Sequence, residues 1–503
     1  MDSKIKGIIA GAVVLICLGV MLAVLTLTGD VKTDDDSSSV SPDSIIEPEE
    51  TFPLMDLDKN SISKITIKNE DGVLNIVRTE KGSADTDGTW EIEELDGINQ
   101  NGTAVKACVN ICSSLAGRQL VEENASDLSK YGLSEPAAKI TVSSDNEADS
   151  VFLIGDEIPT GGYRYIVRQG SSTVYTALLA NINYFLQDIY YFCSTSLVYT
   201  PSQENWPTID RLTIKRQDID YDIVFVSVDE NDAPIGLVST QVMIKPVYAG
   251  LNITSSAAVT HGIWGLTAEK AVVIHPTEED FAQYGLDDPF CTVILDSSAE
   301  DYTLKVGDPI YATDANGEET TTVSGYYCYI NAQGADCIYS IPAANCVWAY
   351  FLPGDIIAGQ MVMNYIMDLD GITVEGNGKT YQADITAVKK DEEAGIEEVF
   401  EVKINSQDID EQLFKNWYVF WLECPTTETY FEPLSDTDTL YCTVTLSRQD
   451  GTEQVVKFYQ TSGRRLIVEI DGNVGYKIPI NYIDTLISNM ENVTQGKNVV
   501  ETY

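Results

Sequence analysis

The sequence predicts an α+β protein: three tandem repeat modules with mainly antiparallel sheets, preceded by one N-terminal transmembrane helix. Three observations carry that expectation. One phrase recurs, as DLSKYGLSEP (Asp127 to Pro136) and DFAQYGLDDP (Asp280 to Pro289). Each copy is followed by a strand-like run and then a Gly-Asp pair, Gly155-Asp156 or Gly307-Asp308. Strand-like and helix-like patterns come in blocks rather than alternating one for one, which argues for α+β architecture. The chain also opens on a long apolar run.

That run, Ile8 to Leu27, is broken only by Thr26. A helix of about 20 such residues spans about 30 Å, the thickness of a bilayer's hydrocarbon core. Lys4 and Lys6 precede it, and Asp30, Asp34, Asp35 and Asp36 follow. The positive-inside rule then leaves the N-terminus in the cytoplasm and everything after Leu27 outside. A cleaved signal peptide has a shorter apolar core and a small-residue cleavage site. The exit TLTGD supplies no such site. Residues 1–28 are therefore expected to be a cytoplasmic stub and anchor, with the lipid bilayer as partner of residues 8–27. Residues 29–55 are acidic, Ser-rich and Pro-bearing, a linker with too little apolar content to pack.

The first module is expected over 56–200. Ser63 to Lys68 and Val73 to Arg78 alternate around NEDG, a hairpin signal. A strand at Trp90 to Glu93, a helix at Thr103 to Leu115 and a strand at Arg118 to Glu122 follow. In the recurring phrase, Ser126 or Asp127 is placed to cap a short helix. Gly132 is placed to end that helix in a left-handed conformation, with Leu133 packing back. Pro136 is placed to open the next strand. Strands at Lys139 to Val142, Val151 to Ile154, Tyr163 to Arg168 and Thr173 to Ala177 complete the sheet. A helix near Ile182 to Tyr191 closes it.

The second module, 201–362, repeats the order. It has a strand at Arg211 to Lys215, a helix near Ala257 to Leu266 and a strand from Ala271. Tyr284, Gly285, Leu286 and Pro289 match Tyr131, Gly132, Leu133 and Pro136, and Gly307 matches Gly155. The segment Thr313 to Ser324 reads as an insertion in a loop. The third, 363–492, lacks the Tyr-Gly-Leu phrase. It keeps a strand at Gly371 to Glu375, a helix over Asp408 to Leu422, a strand at Glu428 to Pro433, a hairpin at Arg465 to Ile478 and a last helix from Ile480. Residues 493–503 form a tail. A repeat of about 150 residues is domain-sized, too long for a solenoid unit.

Composition excludes some functions. With 31 basic and 78 acidic residues the formal charge is -47, which repels nucleic acid, so no nucleic-acid partner is expected. Ten Cys occur without a CxxC pair, so no zinc site or disulfide framework is legible. Cys108 and Cys112, and Cys291 and Cys442 in CTVIL and CTVTL, read as small buried hydrophobes. The segment from Asp56 starts like a calcium loop, but Ser61 and Ile67 stand where that loop needs Gly and Glu. No metal or cofactor is expected. His261 and His275 are the two histidines, and both read as structural. No nucleophile elbow, HExxH helix or P-loop is present, so no catalytic residue is assigned and an enzyme is not expected.

Tyrosine is abundant, at 27 residues. Tyr165, Tyr175, Tyr329 and Tyr339 fall in matching hairpins (YRYIVRQGSSTVYTA and YCYINAQGADCIYSI). Tyr suits both sheet packing and recognition surfaces, so these four are candidate contacts for a polysaccharide or peptide.

The Tyr-Gly-Leu-x-x-Pro phrase, the Gly-Asp pair and the hairpins ending in Val174-Tyr175 and Ile338-Tyr339 resemble the bacterial family of domain of unknown function 4340. That resemblance implies a membrane-tethered extracytoplasmic protein. It also implies association with an ABC-type export permease or a gliding-motility-like auxiliary subunit. It supplies no catalytic residue. The expected function is thus a non-enzymatic accessory protein of the cell envelope. The second reading is a wall-anchoring or ligand-binding protein acting through the Tyr-rich hairpins.

Overall fold

Alternating apolar residues along Ile62–Asn69 and Gly72–Glu80 bury Ile65, Ile67, Leu74 and Ile76 on one face. The Asn69 side chain closes the turn by accepting from Asp71 N–H (3.0 Å) and Gly72 N–H (3.2 Å). Around such hairpins the chain builds three large antiparallel sheets and packs its helices on them. The protein is α+β. The computed structural model describes residues 51–83, 86–202, 206–228, 238–358, 361–362, 364–388, 399–425, 428–461 and 463–503. The expected anchor and most of the linker lie outside these residues. Among them no helix is long and apolar enough to cross a membrane.

The first sheet runs, edge to edge, Thr89–Ile92, Gly72–Glu80, Ile62–Asn69, Ala138–Ser144, Ser150–Glu157, Tyr163–Arg168, Val174–Leu178, Gln119–Glu122. The second runs Ala249–Asn252, Val238–Lys245, Ile223–Ser227, Ile209–Arg216, Cys291–Ser297, Tyr302–Thr313, Glu319–Ile330, Cys337–Pro342, Lys270–Ile274. The third runs Gln407–Ile409, Val399–Ile404, Lys379–Val388, Leu369–Gly376, Thr439–Arg448, Glu453–Gln460, Arg465–Ile470, Asn473–Pro479. In each, the strand met first in the chain lies mid-sheet, between its hairpin partner and a strand that arrives only after the helix.

Helices cover the apolar faces. Gly102–Ser113 is capped by the Asn101 side chain, which accepts from Ala104 N–H at 3.2 Å. It buries Val105, Cys108, Val109 and Cys112 at helical spacing. Glu411–Leu422 buries Phe414, Trp417, Tyr418, Phe420 and Trp421, and it packs on Ile480–Thr494. Trp417 Nε1 donates to the Leu486 carbonyl (3.2 Å), and Tyr482 Oη donates to the Phe420 carbonyl (2.8 Å). Residues buried in all three sheets form one hydrophobic core.

Several expected elements differ. The helix expected near Ile182 to Tyr191 is instead three short turns, Leu179–Ile182, Asn183–Leu186 and Ile189–Phe192. Gln187 is extended there, Asp188 caps the last turn, and Asn69 Nδ2 holds the Phe185 and Gln187 carbonyls. The helix expected near Ala257 to Leu266 runs Ile253–Thr260, because Asn252 caps it early and Gly265 turns left-handed. Pro136 and Pro289 stand two residues ahead of their strands rather than opening them. Thr313 to Ser324 is not a long loop: Tyr302–Thr313 and Glu319–Ile330 extend as one hairpin. Glu428 to Pro433 supplies a single bridge, Thr429 to Tyr476, not a strand.

Candidate functional site

Both Tyr-Gly-Leu phrases fold into the same arrangement. In the first, Asp127 accepts from Ser129 N–H (2.9 Å) and starts the turn Ser129–Tyr131. Gly132 follows at φ +67. Gly132 N–H donates to the Ser129 carbonyl (3.0 Å) and Leu133 N–H to the Leu128 carbonyl (3.1 Å), the two bonds of a Schellman end. In the second, Thr277 and Asp280 form a capping box at the start of Glu278–Gln283. Gly285 sits at φ +67, and Leu286 N–H donates to the Phe281 carbonyl at 2.8 Å.

The Gly-Asp pair explains why both glycines are needed. A Cβ on Gly155 would stand 2.1 Å from the Tyr131 carbonyl oxygen, and one on Gly307 would stand 2.2 Å from that of Tyr284. A Cβ on Gly132 would stand 2.4 Å from Asp156 Cγ, and one on Gly285 would stand 2.5 Å from Asp308 Oδ1. The turn therefore seats directly on the bare backbone of the strand. In the second copy Asp308 N–H also donates to the Tyr284 carbonyl (3.0 Å).

Leu133 and Leu286 are 1% and 0% exposed. Leu133 packs with Ala125, Val167 and Val174 in a small core on the sheet face opposite the main one. Tyr131 lies 4.8 Å, ring to ring, from Tyr165, and Tyr284 lies 4.6 Å from Tyr327. Tyr131 Oη donates to Glu122 (2.5 Å), which Lys130 also pairs. Those two partners hold the Glu122 carboxyl below its usual range.

The four candidate tyrosines are largely engaged within the chain. Tyr339 is 1% exposed, so it belongs to the core and offers no contact surface. Tyr175 lies 5.3 Å from the Phe52 ring, and Tyr329 donates to Asp336 Oδ1 (3.2 Å). The hairpin match pairs Tyr165 with Tyr329, but the cross-strand register corrects it. Tyr165 faces Thr176, the residue after Tyr175, and Tyr327 faces Ser340, the residue after Tyr339. The longer turn before Cys337 hides this shift in the sequence.

His261 is a helix C-cap whose imidazole burial pushes its pKa down. His275 is exposed at φ +51, and its Nδ1 lies 2.9 Å from Asp336 Oδ2, which pushes its pKa up. His275 thus has a carboxylate on its Nδ1, and the free, buried Cys337 lies nearby. The nine described cysteines are buried and free, and burial pushes the thiols of Cys108, Cys291 and Cys442 up to about 12. No group of three or more His, Cys, Asp or Glu among the described residues is placed to hold a metal ion. A cavity of about 740 Å³ opens between the first and second sheets, lined by Trp90, Glu91, Asp96, Asn99, Gln100 and Gln333. Gln100 is spent on structure there, bonded to Ile92 N–H and to the Ile92 carbonyl.

The signature residues of both phrases shape backbone packing. Residues 90–220 match the family described as Domain of unknown function (DUF4340). The match begins at Trp90 and takes in Tyr131, Gly132, Leu133, Pro136 and Gly155, so the resemblance carried by that phrase is shown. No curated protein and no solved structure matches the chain.

Proposed function

We propose that this chain is a membrane-anchored extracytoplasmic protein that acts by contact, without catalysis, as an accessory subunit of an ABC-type transport or gliding-motility-like envelope system. In this reading its three sheets are copies of one module, over 56–200, 201–362 and 363–492, and residues 8–27 are the anchor. One observation carries the three-copy part. Tyr175 faces Leu120, Tyr339 faces Ala271, and Tyr476 faces Thr429. In the first two the next residue, Val121 or Val272, is bulged out of register. A shared register irregularity is a family-type feature of a strand pair, not a chance outcome of composition. Contact is supported by the shared core, which joins the three sheets in one compact unit. The engagement of Tyr165, Tyr175, Tyr329 and Tyr339 inside the chain weighs against the polysaccharide or peptide reading.

Affinity purification of the full-length chain from detergent-solubilised membranes tests this. Recovery of a permease or its auxiliary subunit in stoichiometric amount is the expected result. Recovery of the chain from the soluble fraction alone, or turnover of a substrate at enzyme-like rates, would end the proposal.

A further inference from the structure

Two cysteine sulfurs meet in the core of the second sheet. Cys328 lies in the strand Glu319–Ile330, facing Val306 on one side and Tyr339 on the other. Cys346 stands between the turns Ala343–Asn345 and Val347–Ala349. Their sulfurs are 3.8 Å apart, and the two residues are 1% and 0% exposed. Both backbones are held. Cys328 sits between two ladder partners. Cys346 N–H donates to the Ala343 carbonyl (3.0 Å), and its own carbonyl accepts from Ala349 N–H (3.0 Å). Trp348, two residues on, is fully buried and donates from Nε1 to the Val259 carbonyl (3.0 Å).

Sulfurs in a disulfide are about 2.05 Å apart, so the pair must close by about 2 Å, within reach of small side-chain rotations. Cys291 is the neighbouring competitor, but its sulfur donates to the Trp348 carbonyl at 3.6 Å. The cysteines that touch are 18 positions apart in the chain. The loop between them holds Cys337–Pro342, which pairs with both Glu319–Ile330 and Lys270–Ile274. Just beyond Cys346 comes the turn Pro353–Ile356, where a Cβ on Gly354 would stand 3.1 Å from Thr429 Cγ2. A covalent tie at Cys346 would fix the start of the connector that leads into the third sheet.

We propose that Cys328 and Cys346 form a disulfide when the chain folds outside the cytoplasm, a covalent modification site that staples the second sheet to this connector. The proposal rests on the extracytoplasmic part of the proposed function, because thiols in contact are oxidised in such compartments. The step is exchange with the disulfide of a thiol oxidoreductase. One cysteine thiolate attacks that disulfide, forming a mixed disulfide and releasing one oxidoreductase sulfur; the second cysteine thiolate then displaces the other. One S–S bond breaks and one forms. The cysteine pair loses two electrons, the oxidoreductase gains them, and the two thiol protons end on its two sulfurs. Burial of both cysteine sulfurs places the exchange before the hairpin closes over them.

The test extracts the full-length chain from its native cells in detergent and denatures it with N-ethylmaleimide. It is then digested without reductant, and mass spectrometry identifies the peptides. In parallel, the reduced full-length chain is refolded from urea in detergent with oxidised and reduced glutathione, and mapped in the same way. The expected result in both is a peptide linking Cys328 to Cys346, with Cys291 alkylated. Adding reductant should lower the Tm of the linked chain by about 5 °C. Cys346→Ala should leave Cys328 alkylated and its Tm indifferent to reductant. Both thiols alkylated after refolding, or either linked to another cysteine, would overturn the proposal, as would a linked chain whose Tm ignores reductant. A link formed on refolding but missing from the cell-derived chain upholds the pairing and sinks the extracytoplasmic reading instead.

Discussion

At the scale of single residues, the signature phrase is a fitting between two bare backbones. Gly155→Ala and Gly307→Ala each push a methyl onto a carbonyl oxygen that cannot step aside, because it belongs to a turn held by its own hydrogen bonds. Each substitution should cost about 1–3 kcal/mol, the range for forcing an extra methyl into a filled site. Gly132→Ala adds a left-handed residue's strain, about 1–2 kcal/mol, to its clash with Asp156. Urea unfolding of Gly132→Ala, Asp156→Gly and the double variant checks this. The double variant should be more stable than the sum of the singles, since the second change removes the obstacle to the first. Both glycines of the phrase were legible in the sequence, one through its helix-ending position and the other through its recurrence beside Asp. Their mutual contact was not, because the two lie more than twenty residues apart and meet only across the sheet.

At the scale of elements, periodicity located strands and helices well wherever one face is buried and the other wet. Ile62–Asn69, Gly102–Ser113 and Tyr163–Arg168 fall where alternation or helical spacing puts them. It failed over Ile182 to Tyr191, where a helical pattern is cut by side chains, Asn69 and Asp188, that claim the backbone for themselves. It also overlooked strands such as Val399–Ile404 and Glu453–Gln460, which carry their apolar residues between charged ones. The third sheet's helix pair gives the sharpest element-scale test. Trp417 is 0% exposed and hydrogen-bonded to Leu486, so Trp417→Ala should cost about 3–5 kcal/mol. Trp417→Phe should cost less, because the ring volume largely remains and only the bond to the Leu486 carbonyl is lost. Chemical denaturation of both variants measures the difference.

For the whole molecule, the seams between sheets decide behaviour. His275 stands at the first seam, facing Asp336, with Tyr329 and Cys337 nearby and the Asp96 backbone alongside. Asp336 raises the His275 pKa above its ordinary value of about 6.5. A raised value means that the pair's stabilisation is complete below about pH 6.5 and is lost as pH climbs through the folded-state value. Replacing His275 by Gln should therefore lower Tm at pH 5.5 and leave it unchanged at pH 8.5. Thermal melts across that window, compared with the unaltered chain, would show the same difference at both pH values if Asp336 were not its partner.

The sequence by itself determined the fold class, the recurring phrase with its glycine geometry, the buried character of the cysteines and the family resemblance over the first sheet. Each of these is written in local spacing, which a single segment can hold. Only the tertiary structure decided which tyrosine stacks on which phrase and that Tyr339 is core. Those outcomes depend on strand register and on neighbours far away in the chain. A shift of two residues in one turn changes them without disturbing the pattern along either strand.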